Sequence, residues 1–151
     1  MRVTDDAVAT LRAQLTGDQE EYDRLLAKVD AAGDATSYAA LVAAAFVEAA
    51  ERRFRAHGTP ADVVRFVADV RARTPDMSEK IDPKVGEQLF LSALMDAPLD
   101  EGLSGGTIVA TQLLLLVAMT VDEAPAPERL EAILAESRTL ADEWMATPPG
   151  V

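Results

Sequence analysis

The chain lacks the side chains on which much of enzyme chemistry depends. Its 151 residues include no cysteine and a single histidine, His57. Disulfides, thiol nucleophiles and thiolate zinc sites are therefore excluded. A site built from two histidines of one chain is excluded as well. We accordingly predict a non-enzymatic protein that holds no metal ion and no cofactor.

Basic residues are also scarce. Lys and Arg together number 14 against 26 Asp and Glu, which gives a formal charge of -12. The excess is largest in residues 97–151, which contain nine acids and two bases. A field of this sign repels nucleic acids and anionic lipid. We therefore expect no nucleic-acid partner and no membrane, and consider a protein partner, self-association or a small-molecule ligand.

No apolar run is as long as a membrane span. The longest, residues 108–121, is interrupted by Thr111, Gln112 and Thr120, and a bilayer requires about 20 residues. The N-terminus turns acidic at Asp5 and Asp6, unlike a secretory signal peptide. We therefore predict a buried core helix at 108–121 and a cytoplasmic protein. The 28 alanines and the excess of Arg over Lys indicate a bacterial source.

Apolar residues recur at helical spacing, and nowhere do β-branched residues alternate with polar ones as in a strand. An all-α fold is therefore predicted. Starts and stops are signalled by capping residues, prolines and glycines. They indicate seven helices, near residues 4–16, 18–32, 37–57, 60–74, 83–95, 107–123 and 128–145, with a short turn at 75–80.

Two of these helices, near 37–57 and 107–123, contain long stretches without charge. A helix that is apolar on all sides is usually buried on all sides. We therefore expect these two helices at the centre of one compact, bundle-like domain covering residues 1–146. Residues 147–151, which contain two prolines, are predicted to form a frayed tail.

Five basic residues between positions 52 and 65 form a cluster in this acidic chain, and Arg71 and Arg73 follow it on the next predicted helix. Arginine binds phosphate or carboxylate through two parallel hydrogen bonds, so the cluster is a candidate anion-binding or partner-binding site. The interpretation that we favour is a solvated face with ion pairs such as Asp69–Arg73 along one helix. In that case His57 stabilises a helix C-terminus. The candidate residues are Arg52, Arg53, Arg55, His57 and Arg65.

Trp144, the only tryptophan, and its neighbour Met145 lie on the last predicted helix. Tryptophan is enriched at binding hot spots, which makes this pair a candidate interface. An isolated tryptophan on an apolar stripe is more often part of the core, which is the interpretation that we favour for Trp144.

Apolar helices are abundant, whereas residues typical of catalysis are few. Surplus apolar surface on a soluble protein usually marks an interface. The sequence therefore favours a non-enzymatic protein-protein interaction or homodimerising domain. The alternative is a small-molecule-binding helical domain with its pocket between helices.

Overall fold

A computed structural model of the chain describes residues 2–55 and 58–146. Within them the chain forms eight α-helices and no strand, which confirms the all-α fold. The predicted tail at 147–151 lies outside the described residues. The helices are α1 (Asp5–Leu15), α2 (Gln19–Ala31), α3 (Ala35–Phe54), α4 (Pro60–Arg73), α5 (Pro75–Lys80), α6 (Pro83–Met95), α7 (Gly105–Glu123) and α8 (Pro127–Ala146).

Helix starts follow the capping signals of the sequence. The Thr4 hydroxyl accepts a hydrogen bond of 3.1 Å from the Ala7 N–H at the start of α1. At α4, Thr59 and Asp62 form a reciprocal capping box, and Pro60 occupies the first helical turn. These contacts satisfy backbone donors that no residue inside the helix can reach.

The segment predicted as a short turn is instead the six-residue helix α5. Pro75 ends α4 and also opens α5, because a missing N–H costs nothing at the first position of a helix. The Thr74 side chain caps α5 by accepting from the Met77 N–H. The boundary of α3 differs as well, since this helix begins at Ala35, two residues before the predicted start.

The chain divides into two units. Unit 1 comprises Met1–Ala45 and Glu123–Val151, and unit 2 comprises Phe46–Asp122. The helices α3 and α7 contribute residues to both. The expectation of one domain over residues 1–146 stays a prediction.

Polar contacts tie the N-terminal segment to α8 in unit 1. Arg12 forms a bidentate ion pair with Glu131, with N···O distances of 2.8 and 2.7 Å. Asp142 accepts a hydrogen bond of 2.7 Å from the Val3 N–H. The buried side chains beneath these contacts come from all four helices of the unit and include Leu11, Val29, Leu41 and Leu134.

All four phenylalanines of the chain meet in unit 2. Their ring centroids are 5.0 to 5.9 Å apart in four contacting pairs, and Phe90 takes part in three of them. Such tilted and edge-to-face pairs add to the stabilisation from burial. The cluster joins the C-terminal part of α3 to α4 and α6 through Phe46, Phe54, Phe66 and Phe90.

The two helices predicted to be central differ in burial. From residue 37 to residue 50, α3 has no exposed residue, as the sequence predicts. By contrast, 39% of the most apolar 18-residue window of α7 is buried, so the expectation that α7 is buried on all sides is wrong. By length and composition alone, α7 could cross a membrane. The cytoplasmic location and the absence of a membrane stay predictions.

Candidate functional site

Arg53, a member of the predicted basic cluster, belongs to a group of ion-paired side chains that come from α3, α4 and α7. The guanidinium carbon of Arg53, at the end of α3, lies 4.1 Å from the ring centroid of Phe66. Its Nη1 lies 3.1 Å from Oδ2 of Asp122, at the end of α7. Arg53 is therefore held from one side by an aromatic face and from the other by a carboxylate.

Asp122 binds a second arginine. Nη2 of Arg73, on α4, lies 2.7 Å from the same Asp122 oxygen and 2.9 Å from Oδ2 of Asp69. The Asp69–Arg73 pair expected from the sequence is thereby confirmed. The hydrogen bond from Arg73 lowers the pKa of Asp122 more than partial burial raises it.

This group, Arg53, Arg73, Asp69 and Asp122, contains two positive and two negative charges. It therefore offers little net attraction to an external anion. Its side chains are between 26% and 62% exposed, so water also competes for them. The arrangement favours a structural role, in which Asp122 fastens the end of α7 to α3 and α4.

The other members of the predicted cluster have separate surroundings. Arg65 forms an ion pair of 2.9 Å with Asp62 on its own helix. Arg71 donates to the Ile81 and Ser78 carbonyl oxygens and so holds the end of α5. His57 lies outside the described residues. Anion or partner binding by Arg52, Arg53, Arg55 and Arg65 stays a prediction.

Trp144 is 42% exposed, and Met145 is partly exposed. The favoured interpretation, in which Trp144 packs in the core, is therefore wrong. Its exposed position at the end of α8 is compatible with the predicted interface, which stays a prediction.

One side of α7 forms an apolar surface that the sequence interpretation missed. Ala110 and Val121 are exposed, the latter by 64%, while Leu114 and Val117 are partly exposed. The opposite side of the helix is buried. We call the exposed side the α7 outer face and define it as Gly106, Ala110, Leu113, Leu114, Val117 and Val121.

The α7 outer face carries no charge, because α7 has no Asp, Glu, Lys or Arg between Gly105 and Val121. The local signal is misleading, because Thr111, Gln112 and Thr120, the polar residues that interrupt the apolar run, lie on the buried side. Leucine, valine and alanine occur all around the helix, so only the packing of its neighbours decides which side is covered.

A shallow groove lies between α4 and α6 in unit 2. Its volume is about 260 Å³, below the range of about 300–1,000 Å³ typical of ligand pockets. The lining is mostly aliphatic, with Lys84 and Glu87 as its charged members. The groove residues are Pro60, Val63, Val64, Lys84, Glu87, Gln88 and Leu91.

Among residues 2–55 and 58–146, no group of three His, Asp or Glu side chains is placed to hold a metal ion. Within these ranges, Gln112 Oε1 is buried without a hydrogen-bond partner. The buried Tyr38 hydroxyl makes no hydrogen bond of ordinary length, although the Tyr22 side chain lies close enough to influence it. Burial raises the pKa of Tyr38 far above its ordinary value. Tyr38 is therefore a neutral phenol at every physiological pH.

In comparisons with known proteins, no protein-family model, no curated protein and no solved structure matches this chain. Its function must therefore be argued from its own side chains.

Proposed function

We propose that this chain is a non-enzymatic protein that binds another polypeptide through the α7 outer face. The observation that carries the proposal is the mismatch between the composition and the burial of α7. The helix has a mean hydropathy of 1.5 over an 18-residue window, yet 39% of that window is buried. On the α7 outer face Val121 is 64% exposed, and Leu113, Leu114 and Val117 are partly exposed. Apolar residues that are exposed side by side often mark a binding site.

The physical reason is the cost of hydrating apolar surface. Covering such surface is favourable by about 25 cal/mol for each Å² removed from water. The α7 outer face has no charged group to dehydrate, so little opposes its burial against a partner. Binding at this face thus needs neither a catalytic group nor a cofactor.

The second candidate is a small-molecule ligand between helices, and the α4–α6 groove supports it. The groove of about 260 Å³ would hold only a fragment-sized compound. The α7 outer face is longer and more apolar than the α4–α6 groove, so we favour a polypeptide partner over a small-molecule ligand.

Site-specific photocrosslinking tests the proposal. A photoreactive phenylalanine analogue replaces Val121 on the α7 outer face or, as a matched control, Val64 on α4, which is 47% exposed. After irradiation in cells of the source organism, position 121 should give adducts of discrete mass that position 64 does not give. An adduct of twice the chain mass would indicate self-association, and any other discrete mass a different partner. The absence of adducts at position 121, or identical adducts at both positions, would refute the proposal.

A further inference from the structure

Resting on the proposed function, we infer that the occupant of the α7 outer face is a basic amphipathic helix of another protein. Such a helix has an apolar side that packs on α7 and Lys or Arg residues beside it. Two features of unit 2 support this occupant: the spacing of the apolar residues and the sign of the charges around them.

The spacing fits a second helix lying along α7. Gly106, Ala110, Leu113, Val117 and Val121 follow one another at intervals of four, three, four and four residues. This alternation of three and four forms the apolar seam between two packed helices. Small residues at positions 106 and 110 allow the partner to approach closely. From Ala110 to Val121 the seam is about 17 Å long, so a partner helix of about three turns covers it.

Along the sequence, the segment that contains the seam is acidic. Residues 85–128 include seven acids and no base. Asp96, Asp100 and Glu101, which precede α7, are all exposed. At the other end of the seam, Arg53 and Arg73 already bind Asp122. Electrostatic attraction is therefore concentrated at the N-terminal end of α7, where Lys or Arg of a partner would face the three exposed acids.

The same charges disfavour the other occupants. A second copy of the chain would bring a further formal charge of -12 and the same acidic stretch. Anionic membranes attract proteins through Lys and Arg beside the apolar segment, and residues 85–128 contain neither. A partner with basic residues satisfies both the apolar seam and its surroundings.

The test uses two synthetic 18-residue helical peptides with the same leucine face. One carries lysine on its polar side, and the other carries glutamate. Binding to the full chain is measured by fluorescence anisotropy of a labelled peptide. We expect the Leu/Lys peptide to bind one to one and about tenfold or more tightly than the Leu/Glu peptide. Added salt should weaken this binding because it screens the charges.

Two matched variants separate docking from nonspecific attraction. Val121→Asp adds a negative charge to the seam, so a purely electrostatic association would tighten. Docking on the seam would instead weaken by about tenfold or more. Ala68→Asp adds the same charge at an exposed position of α4 outside the α4–α6 groove, and it should alter the affinity by less than about twofold. Circular dichroism checks that each variant is folded, and Ala110→Asp on the same face replaces Val121→Asp if that variant does not fold.

The other outcomes distinguish failure of this inference from failure of the proposed function. If the Leu/Lys peptide binds Val121→Asp as tightly as the wild type or more tightly, the seam is not a docking site. That result refutes both the basic partner and the proposed function. Equal binding of both peptides, lost in Val121→Asp, refutes the basic partner and leaves the proposed function standing. A dimer in sedimentation that Val121→Asp dissociates likewise refutes the basic partner and leaves the proposed function standing. The protein is also tested for flotation with phosphatidylcholine vesicles. Flotation that Val121→Asp abolishes refutes both the basic partner and the proposed function, because a lipid surface then covers the seam.

Discussion

Replacing Asp122 with Asn should measure how strongly the end of α7 is fastened in unit 2. The variant removes the negative charge that Arg53 and Arg73 share at 3.1 and 2.7 Å. An exposed ion pair contributes about 0–1 kcal/mol, and hydrogen bonds to charged groups are about twice as strong as neutral ones. Because the three side chains are 26–37% exposed, the arginines regain water in the variant. We therefore expect the free energy of unfolding to fall by about 1–2 kcal/mol.

The effect should depend on pH in a definite direction. Since the pKa of Asp122 is lowered in the folded chain, its contribution is complete above the unfolded-state pKa, about 3.9. The contribution declines as the pH falls through the lowered folded-state pKa. Wild type and Asp122→Asn should therefore differ most near neutral pH and converge in acid. The difference should also shrink in 1 M salt, where charges are screened within about 3 Å.

Urea unfolding followed by circular dichroism, at pH 7 and at pH 3, provides the measurement. Asp69→Asn serves as the control for a smaller loss of contacts, because it removes one contact to Arg73 and leaves both arginine contacts to Asp122 in place. We expect that control to cost about 0–0.5 kcal/mol. The reasoning is refuted if the two variants are equally stable, or if the cost of Asp122→Asn is the same at both pH values.

Three further substitutions test the packing and the polar contacts, each by urea unfolding. Phe90→Ala, which removes the ring shared by three aromatic pairs, should cost about 3–5 kcal/mol, and a loss below 1 kcal/mol would contradict the cluster. Thr59→Ala should cost about 1 kcal/mol by removing the capping box of α4, whereas no loss would show that the box adds nothing. Tyr38→Phe should change stability by less than about 1 kcal/mol, because the buried Tyr38 hydroxyl makes no hydrogen bond of ordinary length and lies close to Tyr22; a larger loss would show that the Tyr22 contact is a hydrogen bond.

The candidate site was less predictable than the helices. Arg53 and Asp69 could be singled out from their own segments, but Asp122 lies 49 residues after Arg73. Nothing in the neighbourhood of Asp122 indicates its partners. The α7 outer face was missed for a related reason, because the polar residues of α7, Thr111, Gln112 and Thr120, lie on its buried side. The core position favoured for Trp144 was wrong because an apolar stripe does not show which of its residues the neighbouring helices cover, and Trp144 is 42% exposed.

The sequence by itself determined the all-helical fold and most helix starts. Capping contacts such as those of Thr4 and Thr59 join residues three apart, so they can be read without knowing the fold. The tertiary structure alone decided that one side of α7 is exposed and that Asp122 binds Arg53 and Arg73. Burial and ion pairing between distant segments depend on which helices pack together, and that packing balances contributions from the whole chain rather than from neighbouring residues.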